Sequence, residues 1–461
     1  MKKEANKSKS AWTKMDESAI KETMDFNQGY INFLNTAKTE RETVAYLIST
    51  ARKAGFKDLS RVKKINPGDK LYFMDKHKIA AIMVIGKKSL TEGANWVVSH
   101  IDTPRLDLKA RPMYEADHMA LMKTHYYGGI KKYQWVGIPL ALHGVAVKKD
   151  GKTVNIVIGE KPEELCFTIT DLLPHLGKEQ MEKKMSEAIK GEDLNILIGS
   201  YPEPDTEKDP IKKHILNILK DKYGIEEDDF VSAEIEAVPA FPAREIGLDR
   251  SMVGAYGQDD RVSAYAACQA MLNAGITERT AICLFVDKEE IGSTGNTGLQ
   301  SLIMENLMVL ILNKLGSGDY YSVRQGLQKS FAISADVNAA IDPNYPSVFE
   351  KMNNSFLAHG VVLTKFTGSR GKVESNDSNP EFVARLRRLF DEHNVVWQVG
   401  ELGSVDVGGG GTVAHYLARY GMEVIDCGVA LLSMHSPFEI ASKADIYMSN
   451  QAYKCFLEME V

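Results

Sequence analysis

Three acids, Asp287, Glu289 and Glu290, crowd into four residues directly after the apolar run Ala281 to Val286. Such a run reads as a buried strand. Carboxylates gathered at its mouth repel one another unless a cation lies between them. Four other segments offer metal-type ligands at comparable places. Trp96-Val97-Val98-Ser99-His100-Ile101-Asp102 ends in a histidine and an aspartate, and Phe331-Ala332-Ile333-Ser334-Ala335-Asp336 ends in Asp336. Ala430-Leu431-Leu432-Ser433-Met434-His435 delivers His435 just past a strand, and Gln258-Asp259-Asp260-Arg261 opens a helix with an acid pair.

Imidazole and carboxylate without thiolate suit zinc, manganese, cobalt or iron, and a catalytic rather than a structural site. A bridging carboxylate can hold two cations about 3.5–4 Å apart, and such a pair activates a water between them. One further acid can then stay off the metal as general base. Each signal is modest alone, because acids favour the first helical turn in any case. Their recurrence at strand ends and a helix start is what points to a site. Of eleven histidines, His100 and His435 alone pair a strand end with a glycine- or serine-rich turn.

The elements that must position these residues follow from periodicity and punctuation. Strands are expected at Leu71–Met74, Ile79–Ile85, Ala94–Ser99, Thr280–Val286, Phe331–Ala335, Val361–Phe366, Val395–Val399 and Met422–Ala430. Helices are expected at Glu40–Ala54, Arg261–Leu272, Pro380–His393 (capped by Asp377 or Ser378), Thr412–Tyr420 and Glu439–Met459, after a polar lead-in over 1–20. Alternating strands and helices predict an α/β layer fold with a mixed or parallel sheet sandwiched by helices. Between about 106 and 240 the texture changes to short strands, with an Asp150-Gly151 hairpin turn, a charged helical stretch Lys178–Ile189 and an acidic loop carrying Pro202, Pro204 and Pro210. The expected organisation is an α/β domain over 1–105 and 241–461, interrupted by a β-rich insert over 106–240.

The 461 residues allow a large core. A net charge of −6 gives no basic footprint for nucleic acid. The five cysteines are scattered without a CxxC pair, no apolar run is long enough to span a bilayer, and the N-terminus lacks a signal-peptide core. A cytoplasmic protein without membrane or nucleic-acid partners is expected.

Taken in order, VVSHIDTPRLDLK, GQDDR, VDKEEIGSTG, SADVNAA and ALLSMHS resemble the aspartyl-aminopeptidase family of dinuclear zinc aminopeptidases, over nearly the whole chain. The resemblance implies a zinc-peptidase-like α/β domain with an inserted dimerisation domain, tetrahedral homo-dodecamers, and peptide substrates with a free N-terminus. It implies two divalent ions, zinc with manganese or cobalt as alternatives. His100 and Asp336 would ligate one ion, Glu290 and His435 the other, with Asp259 bridging. Glu289 would be the general base and Asp102 would orient His100, while Asp260 and Arg261 would serve the helix start. His175 would reach a neighbouring subunit's site. His359, Lys365, Arg370 and Lys372 are candidate substrate contacts, and the stretch around them leaves acidic and neutral first residues both open. Gly408–Gly411 lacks a phosphate-loop lysine and is expected to permit close backbone approach. The alternatives are an N-acyl amino acid amidohydrolase using the same ligands, and a non-catalytic shell-forming scaffold.

Overall fold

The computed structural model describes residues 9–460. The chain divides into two units, one of 1–102, 243–434 and 439–461, the other of 103–242 with 435–438.

The first unit is built on a nine-stranded sheet. Its order is Lys57–Asp58, Lys70–Asp75, Ile79–Val84, Thr280–Val286, Ala94–His100, Phe331–Ser334, Glu423–Gly428, Val361–Thr364 and Trp397–Val399. The central strands are apolar on both faces, as strands covered on both sides must be. In Thr280–Val286, Ala281, Cys283 and Phe285 join one core cluster, and Ile282, Leu284 and Val286 join the other. The first cluster packs under helices Glu40–Lys53, Gln258–Leu272, Pro380–Glu392 and Lys443–Leu457, the second under Ile303–Leu315, Tyr320–Gln328 and Ala414–Ala418. This is the expected α/β layering. A smaller five-stranded sheet runs in the order 244–246, 252–255, 439–442, 430–432 and 338–339.

Several local expectations need correction. The lead-in over 1–20 lies partly outside the described residues, and helix Glu17–Thr36 begins inside it, capped by Asp16 accepting from the Ala19 amide. Helix Pro380–Glu392 starts from Asn379 with Pro at its first turn, without help from Asp377 or Ser378. The long final helix is shorter, because Glu439–Ser442 is a strand paired with Met252–Ala255. Glu40–Lys53 forms as read, with a capping box between Thr39 and Glu42.

The second unit is a six-stranded antiparallel sheet in the order Thr153–Ile158, Leu140–Val147, Ala233–Pro239, Arg105–Ala116, Met119–Tyr127 and Ile196–Gly199. The charged stretch 178–189 makes two short helices, Lys178–Met181 and Met185–Ala188. Pro210, expected in a loop, instead opens helix Pro210–Tyr223, a first-turn position where its missing N–H costs nothing.

Candidate metal centre

Three neighbouring parallel strands end side by side. Thr280–Val286 runs beside Ala94–His100 with Val286 opposite His100, and Phe331–Ser334 flanks the other edge with Ser334 opposite Val98. Residues just past these ends therefore converge, as ligands do at the carboxyl edge of open α/β sheets. His100 closes its strand, Asp336 follows Ser334 by two residues, and Glu289 and Glu290 occupy the single turn Glu289–Ile291. Asp259 and Asp260 enter from the first turn of helix Gln258–Leu272, where their backbone is not helical.

Asp102 holds the ensemble together. Its Oδ1 accepts from the Glu289 amide at 3.1 Å and its Oδ2 from the Glu290 amide at 3.2 Å. Its own backbone carbonyl lies 3.0 Å from His100 Nδ1, and its Oδ1 lies 3.4 Å from the same nitrogen. A carbonyl oxygen can only accept, so Nδ1 carries the proton. That turns Nε2 toward Asp259, whose Oδ1 is 3.1 Å away. On the far side, the Asp259 amide donates to Glu439 Oε2 at 3.0 Å, and Gln258 Nε2 donates to the Val253 and Glu439 carbonyls at 3.1 and 2.7 Å. Buried Arg261 donates to the Gly257 carbonyl at 2.8 Å and to the carbonyls of Ala37 and Tyr256. It braces the backbone at the start of its helix.

The electrostatics call for a cation. Burial would lower the His100 pKa, but hydrogen bonds to Asp102 and Asp259 and the Glu289 charge lift it well above the ordinary histidine value. Burial raises the Asp260 carboxyl far above the usual range, opposed by His100 and reinforced by Asp336 and Asp259. Asp336 is raised in the same way, first by burial, then by Glu289, Asp259 and Asp426, against His100. The Ser263 side chain offers fully buried Asp260 a hydrogen bond that opposes the rise of its carboxyl. Donor atoms of His100, Asp260 and Asp336 lie within 4.8 Å of one another, and so do those of His100, Glu289 and Glu290. Acids that hold protons because they are buried among like charges are the environment that a divalent cation relieves. The donor set, one imidazole nitrogen among carboxylates, fits zinc.

Asp260 is the residue that sequence reasoning undervalued. Acid pairs at helix starts are common, and only the tertiary placement separates a capping acid from a ligand. Asp426 is another. It lies on strand Glu423–Gly428, and burial lifts its pKa to about 6, which puts a further acid behind Asp336.

The remaining expected residues are placed as follows. His435 has a left-handed backbone, φ 64°, in the short segment grouped with the second unit, and its Nδ1 donates to the Gly129 carbonyl at 3.0 Å. His175 is exposed in the second unit. His359 Nδ1 donates to the Leu357 carbonyl at 2.9 Å, and its ring lies against Phe356. Lys365 and Lys372 both donate to Asp377 at 2.7 Å, and Arg370 is exposed on the same loop. At Gly408 a Cβ would stand 1.9 Å from the Leu402 carbonyl oxygen, so the close approach is to neighbouring backbone.

Residues 33–457 match the family described as aminopeptidase I zinc metalloprotease (M18). A probable M18 family aminopeptidase 1 of Clostridium acetobutylicum is 51% identical over 454 residues, covering 97% of this chain and 98% of that protein. The crystal structure of the M18 aminopeptidase of Thermotoga maritima superposes with a TM-score of 0.95 at 46% identity, covering 98% of this chain and 99% of that one. The yeast mApe1 dodecamer shares the fold, with a TM-score of 0.75 at 20% identity over 93% of this chain and 95% of that one.

Proposed function

Because this chain belongs to the M18 family of zinc aminopeptidases, we propose that it releases single N-terminal residues from peptides at a dinuclear centre formed by the acids and histidines described above. The observation that carries this reading is the pair of amide bonds from Glu289 and Glu290 to one buried carboxylate, Asp102, beside His100. That arrangement holds two adjacent glutamates on one turn beside His100, so that one can ligate and the other can move a proton.

In this reading His100 and Asp336 hold one ion, Glu290 and His435 the other, and Asp259 bridges. Asp260, whose donor atoms cluster with His100 and Asp336, is an additional ligand or the neutralising neighbour of that first site. When bound, the divalent ions supply Lewis-acid polarisation of the scissile carbonyl and lower the pKa of water. Glu289 takes the proton from the attacking water and passes it to the leaving nitrogen. Asp102 keeps Glu289 aimed during both transfers. Lys365 and Lys372 share the single carboxylate of Asp377, so one positive charge remains there and acidic and neutral first residues both stay within the proposal. A homo-oligomer, dodecameric like yeast mApe1, with His175 reaching a neighbouring site, is part of the proposal. So is a cytoplasmic setting, supported by five unpaired cysteines, four of them buried.

The test is hydrolysis of Leu-, Asp- and Glu-peptides and their N-acetylated counterparts, with and without chelator. Cleavage of free peptides alone, lost on chelation and restored by zinc, manganese or cobalt, is expected, and the panel reports the first-residue preference. Cleavage confined to acetylated substrates would overturn the assignment. A light-scattering mass near 51.2 kDa would overturn the oligomer.

A further inference from the structure

A cavity of about 200 Å³ opens between helices Ile303–Leu315, Tyr320–Gln328 and Ala414–Ala418. Its charge is unbalanced. Arg324 leans on Glu305 at 3.5 Å and over the Tyr420 ring, whereas Arg419 makes no ion pair among the described residues. Two guanidiniums therefore face one carboxylate. A guanidinium presents paired N–H donors that match a carboxylate edge. Leu299 and Leu302 supply an apolar wall beside these donors. Leu302 is 56% exposed and holds φ at 60°, a left-handed conformation that a branched aliphatic residue rarely adopts.

The same cavity touches the catalytic turn. The Tyr416 hydroxyl donates to the Gly292 carbonyl at 2.9 Å, and Gln300 Nε2 donates to that carbonyl at 2.9 Å and to the Tyr416 oxygen at 3.2 Å. Gly292 ends the turn that carries Glu289 and Glu290, and its amide returns to the Glu289 carbonyl at 2.8 Å. Two cavity side chains thus hold the carbonyl that closes that turn.

We infer that this cavity binds a small carboxylate bearing an apolar group, anchored by Arg419, and that its occupation lowers turnover through Gly292. A ligand oxygen that accepts from the Tyr416 hydroxyl withdraws that donor from the Gly292 carbonyl and loosens the turn. The effect falls on kcat, with KM for the peptide unchanged. This coupling rests on the role proposed for Glu289, but binding to the cavity does not.

The experiment uses the metal-loaded full chain with N-acetyl-L-leucine, whose blocked amine keeps it from binding as a substrate does. Calorimetry should show one site per chain, weakened about tenfold or more in Arg419→Gln, the scale of a lost charged hydrogen bond. Arg419→Gln should turn over peptide normally without ligand. Tyr416→Phe should still bind the ligand through Arg419 while its turnover no longer responds. No binding, unchanged binding in Arg419→Gln, equal binding of N-acetyl-leucinamide, tighter binding of inorganic phosphate at matched ionic strength, or competitive inhibition would each overturn the inference. An active Glu289→Gln enzyme with cavity binding intact would instead count against the catalytic assignment alone.

Discussion

Replacing Asp102 with asparagine removes one thing and leaves its surroundings in place. The wild-type carboxylate accepts two amides, from Glu289 and Glu290. Asparagine keeps one acceptor oxygen and turns an NH2 group toward the other amide, so one charged hydrogen bond is lost. Such bonds are worth about 1.5–3 kcal/mol, and about 1.4 kcal/mol is a factor of ten. If the loss is felt in the transition state, kcat/KM falls about 10–100-fold, the range found when groups behind metal ligands are removed. The bond from His100 Nδ1 to the Asp102 backbone carbonyl survives the substitution. The histidine therefore keeps its tautomer, and the damage passes through the glutamate turn. The assay is steady-state hydrolysis of a chromogenic leucyl anilide at saturating zinc, with metal content measured on the same sample. A drop in kcat with metal retained is expected. A loss smaller than about threefold, under ~1 kcal/mol, would refute the claim that Asp102 aims these glutamates.

Glu289→Gln should retain metal and fold while kcat falls about 10²–10⁴-fold, the usual worth of a positioned general base; near-normal turnover would remove the assignment. Asp445, buried at the start of helix Lys443–Leu457, accepts from the Ala358 and Gly360 amides at 2.7 and 2.6 Å, yet burial lifts its pKa to about 8. A folded pKa above the unfolded value of about 3.9 means that its contribution to stability is full below that value and is lost as pH rises toward 8. Asp445→Asn should flatten that fall, at a cost of about 1–3 kcal/mol for the amide left without an acceptor; urea midpoints between pH 4 and pH 9 report it, and an unchanged slope would contradict the reasoning. Gly360→Ala places a Cβ 2.0 Å from the Val396 carbonyl oxygen at φ 88°, and thermal melts should show a loss of about 1–3 kcal/mol, as for a strained backbone site.

The strands that carry the site were legible because both of their faces are buried, so that Trp96–Val98 and Ala281–Val286 appear as apolar runs followed by polar ligands. His100, Glu289, Glu290 and Asp336 stand out as candidates because that signature recurs, and their separate roles come from the family resemblance. What was illegible depends on distant partners. Glu439 pairs in a strand and accepts the Asp259 amide, a relation between residues 180 positions apart. Asp260 looked like any helix-start acid until burial and the neighbouring carboxylates set it apart. Helix Glu17–Thr36 hid within a polar stretch because much of its surface faces solvent, with inward residues such as Tyr30, Phe33 and Leu34 confined to its second half. Arg261 sits among carbonyls rather than acids, a distinction that charge pattern cannot express.

The order of the central strands has a consequence for biosynthesis. Ala94–His100 lies between Thr280–Val286 and Phe331–Ser334, and both neighbours follow it in the chain. On the ribosome this apolar segment emerges with no sheet partner, and at about 5–20 residues per second it waits roughly 10–50 s for the second one. The insert and the helix bearing Asp259 are translated in that interval. His100 therefore meets Asp259, Glu289, Glu290 and Asp336 only after more than half of the chain has been made, and until then its apolar strand is a natural client for holdase chaperones.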